Sequence, residues 1–229
     1  GTIAIGHNVS TTNNHGISFG ENLRNGALGG IVIGQNAVTS GNADNSIVFG
    51  NDAKAISTGS AAGQNADRAI VIGQKAVANK AQDSFVVGYE ANVSGQNGTA
   101  IGRGSVVTGE GGIAFGRDAK TSQQGSIAFG KNAVANTTAG DVALGQGATT
   151  AAQNAGNSFT LNGKNVAASV VQGTNNGVLS VGNATVKRQI QNVGAGKITA
   201  DSSDAINGSQ LYYVATELNT LASTAKSKA

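Results

Sequence analysis

Gly125-Ser126-Ile127-Ala128-Phe129-Gly130-Lys131-Asn132-Ala133 is one copy of a pattern that runs through the first two thirds of the chain. A short apolar run ends in glycine, and a small residue returns three positions later. Upstream, the run reads IAIG (Ile3 to Gly6), ISFG (Ile17 to Gly20), IVIG (Ile31 to Gly34), IVFG (Ile47 to Gly50) and, more weakly, SAAG (Ser60 to Gly63). IVIG (Ile70 to Gly73), FVVG (Phe85 to Gly88), TAIG (Thr99 to Gly102) and IAFG (Ile113 to Gly116) follow, and VALG (Val142 to Gly145) comes after the quoted copy. The glycines of these eleven copies are separated by 14, 14, 16, 13, 10, 15, 14, 14, 14 and 15 residues. The returning small residues are Ala37, Ala53, Ala66, Ala76, Ala91, Ala119, Ala133 and Ala148.

Each unit reads as two short strands and two turns. The β-branched run suits a strand. The glycine lets the chain turn with positive φ or approach a neighbour closely. Ala133-Val134-Ala135 begins a second extended run, and the polar stretch Thr121 to Gly125 supplies the second turn. One such unit cannot bury its apolar face alone, whereas a stack of them can. Length changes fall in the polar stretches, where turns tolerate them.

Strand side chains alternate between faces, and here both sets are apolar or small. Ile127 and Phe129 share one face, and Ala128 takes the other; Val32, Val48, Val71, Val86 and Ala114 repeat that central position. One face is expected to fill the interior of a roll. The other is expected to meet a second copy of the chain. The alternation alone leaves open which set points which way.

Composition agrees with a thin, closely stacked structure. Of 229 residues 35 are Gly, only 4% are aromatic and 12% charged, and Pro, Cys, Met and Trp are absent. Material for a thick core is therefore scarce. Proline, which cannot donate to a β ladder, is excluded from a chain of paired turns. Without Cys there is neither a disulfide nor a Cys-based zinc site. The net charge of +3 is mild and its cations are scattered, which does not support nucleic-acid binding. No apolar run is long enough for a transmembrane helix. Gly1 begins inside the repeat pattern without a signal peptide, so the sequence reads as a fragment of a longer protein.

From Thr149 to Gly177 the period fails. Ser158 to Leu161 and Val166 to Val171 are expected strands with Asn162-Gly163 turning between them, and Asn175-Asn176-Gly177 is a further turn. The pattern partly returns as VLSVG, Val178 to Gly182. At the C-terminus Leu211, Val214, Leu218, Leu221 and Ala225 fall at 3-4-3-4 spacing, a heptad seam, with Ser209 or Asn207 as the expected cap.

Taken together, these features resemble the head and neck of trimeric autotransporter adhesins of the YadA-like type. The quoted stretch is similar to that family's head repeat. Arg188-Gln189-Ile190-Gln191-Asn192-Val193-Gly194-Ala195-Gly196 and Ser203-Asp204-Ala205-Ile206-Asn207-Gly208-Ser209-Gln210-Leu211 resemble its neck. Within them Arg188, Gln189, Ile190, Asn192, Val193, Gly196, Asp204, Ala205, Asn207, Gln210 and Leu211 carry the likeness. Gly194 stands where Ala is common, and the spacer from Lys197 to Ser202 exceeds that of the shortest necks. The likeness covers about residues 1–148 and 178–229.

The resemblance implies an all-β, left-handed parallel β-roll in each of three chains, with a neck and a short C-terminal coiled-coil helix. Its domain division is head repeats over 1–148, a transition segment over 149–177, last repeat and neck over 178–210, and stalk from 211 to 229. It also implies a homotrimer that is not an enzyme, needs no cofactor, and reaches the cell surface by type V secretion. Membrane attachment would come through a C-terminal barrel that this sequence does not contain. The implied partners are host-cell surfaces or matrix proteins of the collagen, fibronectin and laminin class, or other bacterial cells.

Other chemistry finds little support. His7 and His15 are the only histidines, with no carboxylate cluster near them to suggest a metal site. Gly102-Arg103-Gly104 and Gly109-Glu110-Gly111-Gly112 do not continue into a phosphate-binding pattern. A hexapeptide-repeat acyltransferase would need a six-residue period and an active-site His, and an ice-binding solenoid would need regular Thr ladders. Charged residues fall mostly in turns, where they keep a β-rich surface soluble. If they form a binding patch, Arg103, Arg117, Lys120 and Lys131 are the candidates, coming from consecutive turns and suited to extended ligands with acidic groups.

Overall fold

The computed structural model describes residues 1–57, 65–153, 159–161, 164–166 and 176–228. Its apolar runs form an eleven-stranded sheet from Ile3–His7 to Leu179–Ser180, parallel throughout. The second runs form a nine-stranded parallel sheet from Ser10–Thr11 to Val134–Ala135. The chain alternates between the two sheets, so each repeat is one coil of a parallel roll. Register follows the repeat: Ile113 lies beside Ile127, Ala114 beside Ala128 and Phe115 beside Phe129. The rings of Phe115 and Phe129 stack 4.8 Å apart at 6°, the separation of neighbouring strands.

The two apolar faces of each strand separate by size. Val32, Val48, Val71, Val86, Ala100, Ala114, Ala128 and Ala143 point inward and are fully buried. The bulky residues on either side point out, with Phe49 52% and Phe129 48% exposed. The reason is the width of the roll. The second sheet faces the same interior with Ala55, Ala78, Val93, Val107 and Ala135, and the returning alanines, among them Ala119 and Ala133, are buried as well. Two sheets this close leave room only for small side chains. Near the N-terminus the interior turns polar: Asn25 donates to Ser18 Oγ and to Gly30 O, and accepts from Thr39 Oγ1.

The glycine that ends each run sets how closely the coils stack. Gly102 has φ +129°, and a Cβ there would lie 2.5 Å from the carbonyl oxygen of Gly116. Two residues beyond the glycine the chain turns through a left-handed residue, often Asn, as at Asn22 and Asn132. Asn tolerates this conformation better than most residues.

SAAG (Ser60 to Gly63) lies outside the described residues; Ile47–Phe49 pairs with Ile70–Ile72. The last strand of the sheet, Leu179–Ser180, pairs with Val142–Leu144. Between these two strands Thr149 forms a parallel bridge to Val134, so this coil still reaches the second sheet at the start of the 149–177 segment. Within that stretch Phe159–Leu161 pairs antiparallel with Lys164–Val166. The second strand begins at Lys164, earlier than the expected Val166, with Leu161 opposite Lys164. The expected turn at 162–163 and the continuation from 167 to 171 lie outside the described residues, as does Asn175.

The chain divides into two compact units, residues 1–155 with 173–187, and residues 156–172 with 188–229. The second contains the one α-helix of the described residues, α1 (Gly208–Ser227). It starts three residues before the heptad seam, because Asn207 rather than Ser209 is its N-cap.

Candidate interaction surfaces and the neck

Two apolar rows dominate the outside of the eleven-stranded sheet. One runs through Ile47, Phe85 and Ile113, the other through Phe49, Ile72, Phe115, Phe129 and Leu144, all exposed. Contiguous apolar surface of this extent marks a contact surface. The outward face of the nine-stranded sheet differs: Arg24, Lys54 and Lys120 alternate there with Val38, Val106 and Asn92.

The predicted basic stripe is only partly in line. Arg103, Arg117 and Lys131 each follow the glycine of consecutive coils, two residues beyond the registered trio Ile101, Phe115 and Phe129. All three are exposed. Lys120 leaves this row: it pairs with Val106 and Val134 in the other sheet. Although only three residues from Arg117 in sequence, it lies beyond a turn. Tyr89 extends the row at the preceding coil, a member the charge pattern could not reveal, with Arg103 5.7 Å and Lys75 5.9 Å from its ring centroid.

Other turn charges meet partners of opposite sign. Arg68 holds Asp83 by two hydrogen bonds of 2.5 and 2.8 Å. The Arg68 hydrogen bond and charge hold the Asp83 carboxyl below its ordinary value. Lys75 reaches Glu90 at 3.7 Å. His7 and His15 are both exposed. Among the described residues no group of three or more His, Cys, Asp or Glu side chains is arranged to hold a metal ion, and no helix is long and apolar enough to cross a membrane.

A buried carboxylate ties the start of the strand Val142–Leu144 to the chain at Val178. Asp141 occupies the position before the strand, where Ser46, Ser84 and Ser126 stand in other coils. Its Oδ2 accepts from the backbone N–H of Thr137 and Thr138, and its Oδ1 from the N–H of Val178, where the chain returns. Burial pushes the carboxyl up, but the bonds from Thr138, Thr150, Val178 and Thr137 outweigh it and hold the group below the ordinary carboxylate range. An Asp where other coils carry Ser, Gly or Ala was the available signal.

In the neck, the polar residues of the two motif stretches act on the backbone. The Asn207 side chain caps α1 by accepting from Gln210 N, and donates to Val193 O at 3.1 Å. Gln210 completes the capping box, accepts from Gly196 N at 2.9 Å and donates to Gly196 O at 2.6 Å. Asp204 accepts from Lys197 N. A Cβ at Gly196 would lie 2.4 Å from Ala205 O, so only glycine fits. The apolar neck residues Ile190 and Ile206 and the seam residues Leu211, Val214, Leu218 and Leu221 are exposed, and α1 buries none of its side chains within the chain.

Comparison with known proteins accounts for this combination. Residues 27–53, 80–105 and 108–133 match the YadA head domain repeat, and residues 189–229 match the coiled stalk of trimeric autotransporter adhesin. Autotransporter adhesin BtaE of Brucella suis biovar 1 (strain 1330) is 46% identical over 76 residues, covering 33% of this chain. The chain belongs to the YadA-like trimeric autotransporter adhesins. These are adhesins and not enzymes. The chain spans only 10% of the length of BtaE. In fold, the YadA-like chain is similar to the collagen-binding domain of the Yersinia adhesin YadA, with a TM-score of 0.51 at 18% identity over 85% of this chain and 86% of that one. The C-terminal YadA-like domain of BPSL2063 from Burkholderia pseudomallei is 34% identical over 54% of this chain and 50% of that chain, with a TM-score of 0.41.

Proposed function

We propose that this chain is a head, neck and stalk base of a homotrimeric adhesin displayed at the bacterial surface and anchored in the outer membrane by a part of the protein outside this sequence. The head comprises residues 1–148, the insertion 149–177, the last repeat and neck 178–210, and the stalk begins at 211. The observation that carries the reading is the outward apolar surface. Two rows of Ile and Phe along the eleven-stranded sheet, and a heptad seam on α1, lie uncovered in the single chain. Sister chains would cover both at once, and a helix in a protein draws most of its stability from packing its apolar face.

The trimer then presents its turns and its nine-stranded sheets to the surroundings. Attachment to host cells or to extracellular matrix proteins, or to other bacteria in autoaggregation, is the role that this exterior serves. Collagen is the first ligand to test, since the structural relative is named for binding it; fibronectin and laminin follow. Light scattering on the purified chain should give three times the protomer mass, and the trimer should bind matrix-coated surfaces or cultured cells. A stable folded monomer would sink the assembly, and a trimer inert towards every matrix protein, host cell and sister bacterium would sink the adhesive role.

A further inference from the structure

We propose that Arg103, Arg117 and Lys131, with Tyr89 at the end of their row, bind a linear polysaccharide carrying sulfate or carboxylate groups. The proposal rests on the adhesive role above and names a ligand class for it. The three cations occupy one register position on three consecutive coils, about 4.8 Å apart from coil to coil. Like charges directly opposite each other on neighbouring strands are unfavourable. Elsewhere this chain offsets such contacts. Arg68 faces Asp83, and Lys75 faces Glu90. Asp44 and Asp67, which share a sign, each accept a backbone N–H, from Leu28 and from Asp44 respectively. In the cationic row one carboxylate answers three cations. Asp118 lies 3.6 Å from Arg117, and among the described residues no ion pair reaches Arg103 or Lys131.

A polyanion laid along the row relieves both neighbouring repulsions together. Guanidinium groups suit sulfate and carboxylate oxygens, which they can hold by two parallel hydrogen bonds. The row is one side chain wide and runs across the strands, which fits a single extended polymer. A membrane surface calls for a broader cluster of basic residues, and single-stranded nucleic acid calls for several stacking aromatics, of which the row has one. Tyr89, exposed beside Arg103, offers an apolar ring face with a polar tip on which a sugar ring can rest.

The test measures binding of the full chain to immobilised heparin, with fully desulfated heparin separating sulfate from carboxylate recognition. Wild type, Arg103→Gln/Arg117→Gln/Lys131→Gln and Lys120→Gln are compared, with circular dichroism melts to show that each is folded. Should the triple variant fail to fold, Arg117→Gln alone takes its place. Wild type is expected to bind in a salt-sensitive way, and the triple variant about tenfold or more weakly, because charge-assisted contacts are lost. Lys120→Gln, on the other sheet, should stay within about twofold of wild type, since one remote surface charge contributes little. Equal losses in Lys120→Gln and in Arg117→Gln would reduce the binding to general attraction by a basic protein and overturn the proposal. So would a folded triple variant that binds like wild type, or a wild type retained by neither polymer. In the last case, continued attachment of the same protein to cells or matrix would leave the adhesive role standing, whereas loss of both would remove it as well.

Discussion

Gln210 and Gly196 exchange two hydrogen bonds across fourteen residues of sequence, one to the glycine N–H and one from the glutamine amide to its carbonyl. The same Gln210 amide caps the N-terminus of α1 together with Asn207. One side chain thus fixes the path of the neck loop and the start of the helix. Gln210→Ala should destabilise this part of the chain by about 1–2 kcal/mol, the loss of a capping partner and of two modest hydrogen bonds. Amide hydrogen exchange should report it as faster exchange at Gly196 and in the first turn of α1, with the β-roll amides unchanged.

Substitutions on the two faces of one strand should have opposite consequences. Phe115→Asp with Phe129→Asp puts charge on the exposed apolar row and should disperse the oligomer while the parallel roll stays folded. Ala128→Leu drives a larger side chain into the closed interior and should cost about 1–3 kcal/mol by overpacking. Light scattering and far-ultraviolet circular dichroism on the same samples separate the two outcomes.

Two glycines should differ sharply when replaced by alanine. Gly102→Ala combines a positive φ with a Cβ 2.5 Å from the Gly116 carbonyl oxygen, and should lose about 2–4 kcal/mol from strain and overpacking. Gly111 also has positive φ, but a Cβ there meets nothing within 4 Å, so the loss should be about 1 kcal/mol, the backbone term alone. Denaturant unfolding at fixed protomer concentration measures both.

Acid should loosen the roll at the insertion. The Asp141 carboxyl sits below its ordinary value in the folded chain. Its stabilising effect is therefore complete above the unfolded value of about 3.9. It is lost as pH falls through the lower folded value, because protonation then favours the unfolded chain. Asp141→Asn should lower the melting temperature at neutral pH and flatten its decline below about pH 4. An unaltered acid limb in thermal scans would falsify this assignment.

Much of this architecture is legible in the sequence because the repeat writes it many times over. The Ile-x-Phe-Gly runs locate the strands of one sheet, the returning alanines lead into the other, and Asn207 is one of two caps the sequence offers for the helix. The direction of each strand face was not legible. Ile127, Ala128 and Phe129 are all apolar, and hydrophobic patterning separates inside from outside only when the two differ in polarity. Here size decides, through an interior so narrow that Ala128 fits and Phe129 does not. Lys120 was grouped with Arg117 by proximity along the chain, which a turn then undid. Asp141 was missed because its partner Val178 is 37 residues away, a distance over which no local pattern carries information.

Phe115 and Phe129 lie one strand step apart and parallel, and that step recurs along the whole sheet. A chain built this way is a ruler. A shift of fourteen letters in the text becomes a fixed displacement along the molecule, so the order of residues at any one turn position is also a map of chemical groups at even intervals. Selection can rewrite that map letter by letter, or lengthen it by whole coils, while the tube beneath goes on closing by the same rules.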